Sequence, residues 1–144
     1  MASGIERRAL QGAIIIAGFV PVAAGAAGIL LASGMIQAAG SADLDSHFRY
    51  LSGLLLGIGV AFWALVPGIE RHRGPIRLLT GIVVCGGLAR ALGIVLGGVP
   101  SRVMLAALAM ELVVTPLLCL WQGRVSGAIM AAEARASMTR RARA

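Results

Sequence analysis

An all-α polytopic membrane protein is the fold this sequence predicts: four transmembrane helices in an antiparallel bundle, with both termini in the cytoplasm. Three observations predict it. Only 13% of the 144 residues are charged and 58% are hydrophobic, with a mean hydropathy of +0.89; a typical soluble domain carries about twice that share of charge. The apolar residues gather into four runs, each near the roughly 20 residues that a bilayer core demands. The basic residues are all arginine, and most of them fall on one side of those runs.

The first run covers residues 9–35. It exceeds a single crossing, so it should tilt or pass the bilayer edge, and Pro21 near its middle predicts a kink. A cleaved signal peptide is the competing reading, with Arg7 and Arg8 as the basic start and Gln37-Ala38-Ala39-Gly40 as a small-residue exit. The apolar stretch is far longer than the h-region of such a peptide, so a retained span is expected. The second run covers 50–69, the third 76–96, and the fourth 103–121 with Pro116 in its inner half. Residues 1–122 thus form one transmembrane domain. Residues 123–144 form a basic, alanine-rich cytoplasmic tail. Val125, Ile129, Met130 and Met138 give it only a ragged stripe, compatible with a helix lying on the inner leaflet or with a frayed end.

Loop charge sets the orientation. Arg7 and Arg8 precede the first run, Arg71, Arg73 and Arg77 separate the second from the third, and Arg124, Arg135, Arg140, Arg141 and Arg143 follow the fourth. The opposite side carries Arg49, Arg102, Asp43 and Asp45. Positive charge stays inside, so residues 40–47 are the expected outer loop and 71–74 the inner one, in a multi-pass protein of a cell inner membrane. Trp63 and Trp121 at inner ends, and Phe48 and Tyr50 at the outer end of the second run, suit interfacial anchoring.

The same composition narrows the function classes. A net charge of +7 raises nucleic acid as a partner, but the arginines flank apolar runs and no binding motif accompanies them; the bilayer is the expected partner instead. Cys85 and Cys119 lie inside runs without CxxC spacing and read as small core residues. There is no metal-ligand cluster, no paired carboxylate site and no nucleophile–base pair, so an enzyme is not expected and the residues assign no cofactor. Gly53-x-x-x-Gly57, Gly93-x-x-x-Gly97 and the Gly87/Ala91 pair have the spacing that lets helices approach closely. They serve either packing within the chain or a seam with a second copy or a membrane partner.

One constellation carries chemistry. Arg90 sits in the third run and Glu111 in the fourth, mirror-placed about the turn Gly98-Val99-Pro100-Ser101. In antiparallel helices they reach the same depth, near the membrane midplane at 1.5 Å per residue. An ionisable group in hydrocarbon demands a partner or a role. Gly86, Gly87 and Gly93 lie three or four positions from Arg90 and leave room beside it, and Thr115 sits one turn below Glu111. Asp45, Arg49 and Ser52 share the outer face of the second run, with His47 and Tyr50 beside them, so a polar track from the outer loop to Glu111 is expected. The pair has two readings: a staple that fixes helix register, or a cavity holding a ligand or proton site, with Arg90, Glu111 and Arg49 as its charged members.

The motifs Arg49-Tyr50-x-x-Gly53, Gly87-x-x-Arg90 and Glu111 resemble a bacterial family of small four-helix inner-membrane proteins known as domain of unknown function 4345. The resemblance covers about residues 9–122 and omits the tail. It implies a four-helix membrane fold with a shared polar core, and it implies no reaction.

Three functions follow as expectations. The first is a small integral membrane protein that binds a lipid, quinone or other amphipathic ligand at the Arg/Glu site. Arginine suits anionic and carbonyl oxygens, and the layout is similar to small four-helix proteins of the DoxX type. The second is a dimeric proton-coupled transporter, similar in span number to the small multidrug-resistance transporters. Their glutamate, however, lies in the first helix and not beside an arginine. The third is a non-catalytic scaffold or assembly subunit that uses its glycine faces.

Overall fold

The computed structural model describes residues 2–35 and 42–142. The candidate cleavage exit Gln37-Ala38-Ala39-Gly40, the start of the outer loop at Gly40 and Ser41, and Arg143 lie outside the described residues. Four helices account for nearly all of them: α1 (Ala2–Met35), α2 (Ala42–Ala64), α3 (Arg73–Gly97) and α4 (Arg102–Arg141), with one 3₁₀ turn at Ile69–Arg71. The helices α1, α3 and α4 are long and apolar enough to cross a membrane. That length and composition make this a membrane protein.

Helix α2 differs from its expected span. It begins at Ala42, well ahead of residue 50, because Asp43 and Asp45 in its first turn favour a helix N-terminus. It stops at Ala64, short of residue 69. Pro67 disfavours helix at the preceding residue, and Gly68 takes a left-handed φ of 70°, which glycine adopts without strain. The amides of Leu65 and Val66 make the last bonds, back to the carbonyls of Phe62 and Trp63 at 3.2 and 3.1 Å. The expected inner loop 71–74 is instead a longer connection, residues 65–72, which contains the 3₁₀ turn and ends at His72 against α3. At the other turn α3 ends at Gly97. Gly98 has φ 93° and donates to the carbonyl of Ile94 at 3.0 Å, and Pro100 blocks continuation.

By its internal contacts the chain falls into two compact units, Ile14–Val66 and Met1–Ala13 with Pro67–Ala144. In the first, α1 and α2 form an antiparallel hairpin. The Trp63 indole donates to the carbonyl of Ile15 at 3.0 Å near one end, and Arg49 donates to the carbonyl of Ile29 near the other. Between them glycines remove the side chains that would hold the helices apart. A Cβ at Gly18 would meet the Trp63 ring at 2.6 Å, one at Gly25 would meet the backbone of Leu56 at 2.6 Å, one at Gly28 would overlap Ser52, and one at Gly59 would meet Val22 at 2.7 Å. α1 is assigned as helix straight through Pro21, whose ring lies against Gly59.

In the second unit, α3 and α4 run antiparallel, with Gly87 against Leu112 and Arg73 over Gly123. The first turns of α1 and the 3₁₀ turn close onto the far end of α4. Leu10, Ile69, Ile76 and Val125 are buried there, and so are Gln122 and Ser126. Gln122 donates to the carbonyl of Ile69 at 2.7 Å and Ser126 to that of Glu70 at 2.5 Å. These bonds satisfy carbonyls that a short turn leaves without helical partners.

Helix α4 continues past residue 122, through Gly123 to Arg141, because alanine-rich sequence favours helix and Val125 and Ser126 are buried. Gly53, Gly57, Gly93 and Gly97 are not the packing glycines of the chain. A Cβ at any of them would meet nothing within 4 Å, and the close approaches fall on Gly18, Gly25, Gly28, Gly59 and Gly87.

Candidate functional site

The expected charges meet. Arg90 lies about two turns from the end of α3 and Glu111 about two and a half turns into α4, roughly 10–14 Å from the connecting turn. The Arg90 Nε donates to Glu111 Oε2 and Nη2 donates to Oε1, both at 3.0 Å. This bidentate fork is the strongest geometry available to the two groups. The Arg90 Nη1 also points to the sulfur of Met104 at 3.1 Å. The Glu111 side chain is 18% exposed and that of Arg90 34%. The Glu111 side chain is therefore mostly covered, while a third of the Arg90 side chain stays exposed.

Backbone geometry aims the carboxylate. Residues Met110–Val114 wind as a π-helical turn inside α4. The cause is local. Pro116 has no N–H to give to the carbonyl four residues back, and the Thr115 hydroxyl donates to the carbonyl of Met110 at 2.8 Å, closing the wider turn. Such turns are rare and concentrate at functional sites. Gly87 completes the arrangement: a Cβ there would meet Leu112 at 2.6 Å and the Glu111 Cβ at 3.0 Å. A side chain at 87 would force Leu112 to turn aside and would crowd the Cβ of Glu111. Of the glycines expected to make room beside Arg90, only Gly87 faces α4; a Cβ at Gly86 or Gly93 would meet nothing within 4 Å.

The cluster in the first turns of α2 is equally organised. The Arg49 Nε donates to Asp45 Oδ2 at 2.8 Å, one turn back on α2, and its Nη1 donates to the carbonyl of Ile29 near the end of α1. The hydrogen bond to Asp45 raises the Arg49 pKa above its ordinary value, so this group is a fixed cation. Ser52 donates to the carbonyl of Phe48 at 2.8 Å and sits against Gly28, so its hydroxyl is engaged in helix packing. The Tyr50 and His47 rings lie 6.5 Å apart. Arg49, Asp45, Tyr50 and Ser52 belong to the α1–α2 unit; Arg90, Glu111, Gly87 and Thr115 belong to the other.

Sequence reasoning missed a second cross-helix pair. The Arg7 Nε lies 3.0 Å from Glu70 Oε2, and the Glu70 side chain is only 11% exposed. Beside it the Trp121 indole donates to Glu6 Oε1 at 3.4 Å. Glu70 was legible as the one acid in the basic segment between α2 and α3, where a carboxylate needs a reason to be. The π turn had a signal too, in Thr115-Pro116 directly after the embedded acid.

Fold and site together define a class: an all-helical membrane protein with a bidentate ion pair joining two apolar helices across a π turn. The chain belongs to the family described as Domain of unknown function (DUF4345), whose profile matches residues 9–122. No curated protein and no solved structure gives a significant match.

Proposed function

We propose that this is a four-span inner-membrane protein of bacterial type, bundled with both termini in the cytoplasm, whose Arg90–Glu111 centre binds the polar head of an amphipathic ligand such as a lipid or quinone. One observation carries the reading: a bidentate pair set by a π turn, with Glu111 covered and a third of the Arg90 side chain still open. A guanidinium whose Nε and Nη2 are engaged by Glu111 keeps donor capacity for an incoming carbonyl or anionic oxygen. The apolar surfaces of α3 and α4 would accept the ligand's tail. Glu111 holds the cation in place and Arg90 recognises the oxygen.

The test is to purify the protein in mild detergent, identify co-extracted small molecules by mass spectrometry, and repeat with Arg90→Gln and Gly87→Leu. A ligand present at near one equivalent and lost in both variants supports the reading. A preparation that holds only bulk lipid, unchanged by either variant, overturns it.

A second reading has its own observation. Gly53, Gly57, Gly93 and Gly97 leave bare helix faces, which favours an assembly role with a second copy or a partner helix seated on them. A stoichiometric membrane protein that co-purifies with the wild type and is lost in Gly53→Leu/Gly57→Leu would establish it. A proton-coupled carrier has less support, because Glu111 would have to release a bidentate arginine at every turnover.

A further inference from the structure

At the end of α3 far from Arg90, a cleft of about 270 Å³ opens between α3 and α4, lined by Arg73, Arg77, Cys119, Leu120, Gly123 and Arg124. Three arginines line it. No salt bridge among the described residues involves any of them, whereas the neighbouring acids are engaged: Glu6 with Trp121, Glu70 with Arg7 and Glu111 with Arg90. Glu133 lies more than two turns further along α4. The cleft therefore gathers three positive charges with no salt-bridge partner among the described residues, a surplus that a bound anion would relieve.

Gly123 shapes the cleft. The Arg73 Nη2 lies 3.6 Å from the position a Cβ would occupy there, so the absent side chain leaves the guanidinium lying over the backbone of α4. Leu120 and Cys119 supply an apolar wall beside the three cations. Arg73 is the first residue of an apolar, membrane-length helix, which puts the cleft at the depth of lipid headgroups. Arginine forks match the tetrahedral oxygens of phosphate.

We propose that the Arg73/Arg77/Arg124 cleft is a phosphate-binding site, suited to the phosphodiester of an anionic membrane lipid with its first carbons on Leu120. It shares no residue with the Arg90–Glu111 centre and does not depend on the reading given to that centre.

The test uses the full chain in nanodiscs of phosphatidylcholine with a minor fraction of phosphatidylglycerol, followed by native mass spectrometry of the lipid retained. The triple change Arg73→Gln/Arg77→Gln/Arg124→Gln should cut retained phosphatidylglycerol by at least about tenfold. Removal of the same charge from the exposed end of α4, by Arg135→Gln/Arg140→Gln/Arg141→Gln, should change it less than about twofold. Gly123→Leu keeps every arginine and fills the cleft; it should also lose the lipid, and circular dichroism should show unchanged helix content. In detergent free of anionic lipid, inorganic phosphate is titrated against thermal stability. If phosphate protects the wild type but not the triple variant, and phosphatidylglycerol is not retained, the site takes a soluble phosphate. Equal loss of lipid in the two arginine triples, full retention by Gly123→Leu, or failure of both lipid and phosphate to bind would each overturn the proposal.

Discussion

Glu111 is the residue whose surroundings constrain it most. It is covered, it sits in a helix apolar enough for a membrane, and it accepts two hydrogen bonds from one guanidinium. Removing the cation while leaving the anion is the costly change, because an uncompensated charge in a low-dielectric site has no compensating interaction. Arg90→Ala is expected to lower stability in detergent by about 3 kcal/mol. Glu111→Gln alone should cost less, and in the Arg90→Ala background it should restore part of the loss. A thermal or denaturant unfolding cycle should give a coupling of about 1–3 kcal/mol between the two sites; strictly additive costs would mean the fork contributes nothing. Arg49 sets a contrast. Its partner Asp45 is one turn away on the same helix and both are well exposed, so Asp45→Asn should cost no more than about 0.5 kcal/mol in the same assay.

At the scale of the elements, the π turn and the close-packed glycines decide the geometry. Pro116→Ala supplies the missing N–H, so the Met110–Val114 segment should relax toward ordinary α-helix. Undoing one extra residue rotates the preceding helix by about 100° and turns Glu111 off Arg90. The expected result is loss of the Arg90–Glu111 coupling to under about 0.5 kcal/mol in the cycle above, even though the substitution favours helix formation. The hairpin of α1 and α2 makes a parallel case. A Cβ at Gly25 runs into the backbone of Leu56, which cannot rotate away. Gly25→Ala should therefore destabilise by roughly 1–3 kcal/mol. Gly53→Ala, on an open face, should be neutral or stabilising by up to about 1 kcal/mol. Melting curves of the two variants under one set of conditions check the difference. Both glycines lie within helices, and their neighbours in space separate them.

At the scale of the molecule, α4 does two jobs in one helix. Its first half faces α3 with Glu111; its second half buries Gln122, Val125 and Ser126 against the 3₁₀ turn and then continues exposed from Ala131 to Arg141. Truncation after Met130 should leave the melting temperature within a few degrees. Truncation after Gln122 should lower it by more, because it uncovers Ile69 and strips the carbonyl of Glu70 of its donor. Both are measured on purified protein in the same detergent. The far end of the chain is thus partly structural, although its composition reads as a basic tail.

Composition and the four apolar runs determined the class of this protein directly: helical, membrane-embedded, with an arginine and a glutamate mirror-placed about a Gly-Pro turn. Those properties are additive along the chain, since the burden of placing apolar or charged residues in hydrocarbon is summed residue by residue, and an antiparallel pair fixes which depths coincide. The family resemblance seen in Arg49-Tyr50-x-x-Gly53, Gly87-x-x-Arg90 and Glu111 was legible for the same reason. The tertiary structure alone decided which glycines are buried, that Thr115 and Pro116 open a π turn beneath Glu111, that Glu70 answers Arg7, and that Arg73, Arg77 and Arg124 share a cleft. Each of these depends on the rotation of one helix against another. A GxxxG spacing or a lone proline does not encode that rotation; it is set by the sum of many close contacts, each too weak to leave its own mark in the sequence.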